Sequence, residues 1–205
     1  EFPWLKFGAN APSTGQEFMA LSEHSFTQDF SAKIRYRVKS VEKNQSNSTL
    51  PIVPQIKQTS QNIRLQLNYS ASSNITLKTI LETSMFDTDS ISLEQGYLLA
   101  QDLSLKLARI PVNINFRFAI FDTPSWDTRI YSYENDMLYS FSVPAYYSKG
   151  TRFFALLKYS SKSWFEIWLR YSQTYYSEMD ELGQGADLIE GNTRNEVKAM
   201  VRVKF

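Results

Sequence analysis

The stretch 193–205 reads TRNEVKAMVRVKF. Val197, Ala199, Val201, Val203 and Phe205 share one side of an extended chain, and Glu196, Lys198, Met200, Arg202 and Lys204 share the other. Successive side chains of a strand point to opposite faces, so a period of two gives a strand with an apolar and a charged side. The pattern recurs. Phe30, Ala32, Ile34, Tyr36 and Val38 oppose Ser31, Lys33, Arg35, Arg37 and Lys39; Ile63, Leu65, Leu67 and Tyr69 oppose Asn62, Arg64, Gln66 and Asn68. Val112, Ile114, Phe116, Phe118 and Ile120 oppose Asn113, Asn115, Arg117 and Ala119; Phe165, Ile167, Leu169 and Tyr171 oppose Glu166, Trp168, Arg170 and Ser172. Weaker alternation runs through 2–10, 17–25, 74–85, 96–107 and 151–160. This makes about ten strands, many close to the roughly 9–11 residues that a tilted strand needs to cross a bilayer.

The connections alternate as well. Short ones are expected near 25–29, 71–74, 108–111 and 160–163, and long ones at 11–16, 43–57, 86–95, 122–150 and 177–192. A soluble antiparallel sheet with one wetted face would also alternate in polarity, but it supplies no reason for this rhythm. A membrane barrel does, with short periplasmic turns and long outer loops. The last strand follows a long loop and the first precedes one, which predicts an even strand count with both termini on the periplasmic side. The expected fold is an all-β antiparallel transmembrane barrel of about ten strands, or the C-terminal part of a larger barrel, as one domain over 1–205.

Composition narrows the function. The 205 residues carry 22 Lys+Arg against 21 Asp+Glu, for a net charge of +1, with one His and no Cys. Near-neutrality argues against a generic nucleic-acid binder. Without Cys there is no disulfide framework, thiolate zinc site or Cys nucleophile. No run approaches the roughly 18 apolar residues of a transmembrane helix.

In a barrel the apolar faces meet lipid and the polar faces line the lumen. Tyr and Trp near strand ends, such as Trp4, Tyr36, Tyr69, Trp164 and Tyr175, suit interfacial girdles. The lumen is then basic, lined by Lys33, Arg35, Arg37, Arg64, Arg117, Arg170 and Arg202 among others, with few acids: Glu82, Asp102, Glu166 and Glu196. The compensating acids, including Asp87, Asp122, Glu134, Asp136 and Glu178, are expected in the long outer loops. A basic lining favours anions. Alternatively, Arg and Lys pair with the few lumen acids and with those of a folded-in loop, since a narrow barrel is often filled by its own side chains.

No catalytic residue, metal site or cofactor is predicted. His24 in SEHSF has Ser22 on its own strand face and Glu23 on the opposite one, and no acyl-hydrolase motif surrounds it. The acidic stretches FDTDS and MDELGQGADLIEGN match no EF-hand spacing. The segment 122–150 is too long and aromatic for a plain loop. Trp126, Arg129, Tyr131, Tyr133, Tyr139 and Phe141 within it are a candidate constriction or partner surface.

The terminal VKAMVRVKF, ending on Phe205, resembles the sorting signal of bacterial outer-membrane barrels read by the barrel-assembly machinery. Residues 117–159 (RFAIFDTPSWDTRIYSYENDMLYSFSVPAYYSKGTRFFALLKY) and 168–205 (WLRYSQTYYSEMDELGQGADLIEGNTRNEVKAMVRVKF) are similar to the C-terminal barrel region of Bacteroidota helix-hairpin-helix domain-containing proteins. The resemblance covers essentially the whole chain and is strongest after Asn113. It implies an outer-membrane location in a Gram-negative, Bacteroidota-like bacterium, and that the chain is the C-terminal portion of a longer protein. The helix-hairpin-helix part has no counterpart here, so no direct nucleic-acid binding is expected of this piece. The expected function is a non-enzymatic channel or transport component, with outer-membrane lipids and the barrel-assembly machinery as partners. The alternatives are a structural or assembly partner of surface lipoproteins or secretion factors, DNA handling through the absent part, and, last, an outer-membrane hydrolase.

Overall fold

The computed structural model describes residues 1, 3–5, 7–45, 48, 50, 52–89, 91–161 and 164–203. Phe205 lies outside them. Nine long strands form one sheet: β1 (Gly15–Ser25), β2 (Phe30–Asn44), β3 (Gln55–Ser72), β4 (Ile75–Thr88), β5 (Ile91–Lys106), β6 (Val112–Thr123), β9 (Ser148–Ser160), β10 (Phe165–Tyr176) and β13 (Thr193–Val203). Two-residue strands pair within the long connections: β7 (Ile130–Tyr131) with β8 (Ala145–Tyr146), and β11 (Glu181–Leu182) with β12 (Ile189–Glu190). The sheet order is β1-β2-β3-β4-β5-β6-β9-β10-β13, antiparallel throughout. β1 and β13 are its two ends, and no closed barrel forms among the described residues.

The short and long connections still segregate. Those at 26–29, 73–74, 107–111 and 161–164 leave one end of the sheet, and those at 45–54, 124–147 and 177–192 leave the other. Three expectations are corrected. The sheet has nine strands among the described residues, so β1 starts at the long-connection end and β13 finishes at the other, against the even count with both ends on one side. No strand covers the described part of 2–10. Pro3 lacks a ladder N–H, and Gly8 takes a φ of 78°. The Gly8 carbonyl instead accepts the Asn44 N–H at 2.9 Å, laying the segment against the end of β2. The long loop expected over 86–95 is mostly strand: β4 runs to Thr88, β5 starts at Ile91, and the register shifts between Phe86 and Thr88. Its Asp and Thr residues read as loop, yet they are polar ends of a continuing ladder.

The sheet's two faces are chemically opposite. In β6, Phe116, Phe118 and Ile120 are 37%, 41% and 49% exposed, whereas Arg117, Ala119 and Phe121 are at most 2% exposed. Register spreads the division sideways. Leu103 pairs with Phe116, which pairs with Ala155, while Asp102 pairs with Arg117, which pairs with Phe154. Ile34, Leu81, Leu99, Leu157, Leu169, Val201 and Val203 extend the exposed apolar face across the sheet.

Residues 124–147 fold back over the other, inner face. Ile130 and Tyr146 join Ile80, Leu98, Ala100, Ala119, Phe121, Tyr176 and Leu182 in one buried cluster; Met137 and Leu138 pack against Phe154, Leu156 and Trp168 in another. Gly96 permits this approach, because a Cβ there would sit 2.9 Å from the Thr128 carbonyl oxygen and 2.7 Å from Thr123 Cγ2. Gly96→Ala is therefore expected to cost about 1–3 kcal/mol by overpacking. Denaturant unfolding reads the loss, and faster proteolysis within 124–147 locates it in the segment rather than the sheet.

Candidate functional site: an ionic inner face closed by its own loop

Register places the inner-face charges in partnered groups. Arg64 lies opposite Glu82 and Asp102 opposite Arg117. The Glu82 carboxylate receives the Arg64 Nε–H at 2.6 Å and an Arg35 guanidinium N–H at 3.3 Å. Asp102 accepts two N–H groups of Arg117, at 2.5 and 2.8 Å, and pairs with Lys78 at 2.8 Å. Two parallel N–H bonds fix orientation as well as charge. Glu166 meets Lys158 at 3.4 Å and Arg202. At the β1 end, Glu17 accepts from Arg37 at 2.8 Å and Glu23 pairs with Lys33 at 3.5 Å. Every sequence-assigned inner base among Lys33, Arg35, Arg37, Arg64, Arg117, Arg170 and Arg202 thus faces the inner side with a carboxylate partner.

The loop supplies the centre of this network. Glu134, expected at the outer rim, is fully buried on the inner face. It accepts the Arg152 Nε–H at 2.7 Å, an Arg170 N–H at 2.5 Å and the Tyr146 hydroxyl at 2.8 Å. Asp136 lies 3.1 Å from Lys198 and 3.7 Å from Arg170. Burial opposes ionisation of Asp136, but the Met137 N–H, Lys198, Ser140 and Arg170 outweigh it and hold the carboxyl below its ordinary value. Burial, reinforced by the Glu134 carboxylate, pushes the Tyr146 hydroxyl well up. Ser132 accepts an Arg117 N–H at 3.3 Å, and the Tyr131 carbonyl accepts one from Arg64 at 2.8 Å. Charged side chains of five different strands, β3, β6, β9, β10 and β13, hold the segment.

The loop residues singled out in the sequence divide accordingly. Ser132 and Glu134 point at the sheet, and Tyr131 and Tyr133 point away. This alternation continues through Ile130 and was the available sign that the loop is extended and one-sided. Arg129 lies 4.5 Å over Trp126 and donates to the Tyr131 hydroxyl at 2.9 Å. Tyr133 and Phe141 are in ring contact at 5.6 Å, and Tyr139 is 90% exposed. His24 faces outward, 4.6 Å from the Phe26 ring, while Glu23 turns to Lys33. No group of three or more His, Asp or Glu converges among the described residues.

The arrangement is therefore a β-sheet with an apolar exterior and a charge-paired interior, partly filled by its own loop. Comparison with protein-family models, curated proteins and solved structures finds no match.

Glu134→Gln leaves Arg152 and Arg170 without their shared carboxylate. Removing one partner of a buried pair costs about 3–5 kcal/mol, read by denaturant unfolding and by proteolysis at 124–147. Acidification gives a second expectation. An acid depressed in the folded protein stabilises above its unfolded value and loses that contribution only below it. Loop docking through Asp136 should persist at neutral and mildly acid pH and weaken as pH falls below the ordinary aspartate value of 3.8. Proteolysis of 124–147 across pH checks it.

Proposed function

We propose that this chain is part of an outer-membrane β-barrel acting as a channel or transport component. The observation that carries this reading is the inversion of the sheet: Phe116, Phe118 and Ile120 outward, Arg117 buried between them on the other face. A soluble sheet hides its apolar face, and contiguous exposed apolar patches beyond a few hundred Å² mark an interaction surface or a membrane. Hydrocarbon covers such a face without any specific partner.

Strand direction supports completion by further strands. Nine antiparallel neighbours make β1 and β13 run the same way. Joining them directly would create one parallel pair, whereas an odd number of added strands gives an even, wholly antiparallel barrel. The open edges of β1 and β13 favour a larger barrel, completed by strands outside this sheet. The ion-paired inner face suits the water-filled or self-plugged side, with the segment 124–147 as a partial plug.

The exposed Tyr139 and Phe141 at the loop tip, with Tyr133 beside them, favour a second reading, in which the loop docks another envelope protein.

The test is reconstitution of the full chain in liposomes. Single Cys variants at Leu67, Phe118 and Val201, labelled with a fluorophore, should be quenched from within the bilayer. Labels at Ser60 and Asn62 should be quenched from water. The opposite pattern would sink the membrane reading. Planar-bilayer recordings should show anion preference, and cation selectivity would overturn the basic-lumen reading.

A further inference from the structure

The loop does not cover the inner face evenly. Towards the long-loop end, a cleft of about 280 Å³ remains between the β2–β4 wall and residues 127–131. Arg37, Lys39 and Lys43 line it from β2, and Arg129 from the loop. Among acids, only Asp127 lines it. Glu17 pairs with Arg37 and lies across from Lys39 in the register, but Lys39, Lys43 and Arg129 make no direct ion pair among the described residues. Elsewhere on the inner face most bases are matched to carboxylates, and the unmatched Lys106 and Arg194 stand apart from one another, so the cleft is where unpaired bases gather. Ser60 and Asn62 of β3 add hydroxyl and amide groups to the same wall. Arg129 is already oriented: its guanidinium donates to the Trp126 carbonyl at 2.5 Å and to the Tyr131 hydroxyl at 2.9 Å.

We propose that this cleft binds an oxyanion: a phosphate or carboxylate group carried by a small solute or a lipid headgroup. Two mobile ammonium groups and a fixed guanidinium supply charge-assisted donors from two sides. The volume admits such a group with accompanying water, but not a bulky apolar ligand. The inference deepens the channel reading by placing an anion station on the inner wall. It predicts where an anion pauses rather than whether one passes.

Binding is measured without conductance. The full chain in uncharged detergent micelles is titrated with inorganic phosphate by calorimetry. Saturable binding is expected. Lys39→Gln with Lys43→Gln should weaken it about tenfold or more, the scale of losing one charged hydrogen bond. Lys39→Arg with Lys43→Arg should retain it, and so should Lys106→Gln near the opposite end of the sheet. Far-ultraviolet circular dichroism confirms that each variant keeps its strands. In nanodiscs, competition between phosphatidylglycerol and phosphate assigns the site to a lipid headgroup; absence of competition assigns it to a soluble anion. Folded wild-type protein without saturable phosphate binding, or a double Gln variant that binds as well as wild type, overturns the proposal. Phosphate binding without ion conduction would keep this inference and sink the channel reading; anion-selective conduction without saturable binding would do the reverse.

Discussion

A guanidinium removed from water must find a carboxylate, and in this protein the carboxylate at the centre of the network comes from a loop. Arg152 and Arg170 stand on adjacent strands with their charges directed to the same side, and Glu134 reaches both. Desolvating two such groups without a partner would cost several kcal/mol each. The segment 124–147 therefore lies on the inner face because the sheet's charge pattern requires it there. Its apolar contacts follow from that placement. Once Glu134 is anchored, Ile130 and Tyr146 are brought against Phe121, and Tyr146 closes the network by donating back to Glu134. The sidedness of the sheet and the docking of its loop are thus one consequence of a face that is charged where soluble sheets are greasy.

Much of this was legible from period alone. The alternation around Arg117 and around Arg170 specified which side each residue takes, because a strand offers only two directions. Cross-strand pairing was not legible, since register depends on where each hairpin turns; Arg64 opposite Glu82 could not be read from either strand by itself. The placement of Glu134 and Asp136 was missed for a different reason. Acids in a long polar connection read as solvated, and only the short run Ile130 to Glu134 carries the one-sided pattern. Within 2–10 the alternation was present, but Pro3 and Gly8 break it, so among its described residues polarity without a competent backbone did not make a strand. At 86–95 the error ran the other way, with polar residues hiding a ladder that continues past the apolar belt.

The loop's asymmetric grip divides the inner wall into two regions with different physics. From β3 to β13 most of the bases are tied to carboxylates, some of them from the loop, and Arg117 and Arg170 are sealed from solvent. Along β1 and β2 the wall is more open, and its ion pairs are partly exposed, as in the Arg37–Glu17 pair with 43% of each side chain accessible. An exposed pair is worth little and is readily exchanged for another counter-charge. A buried pair is not, because releasing either partner strands the other. The tied region is thus suited to hold shape and the open region to exchange ions. In the barrel proposed above, a path would run along β1 and β2, beside the loop rather than through it.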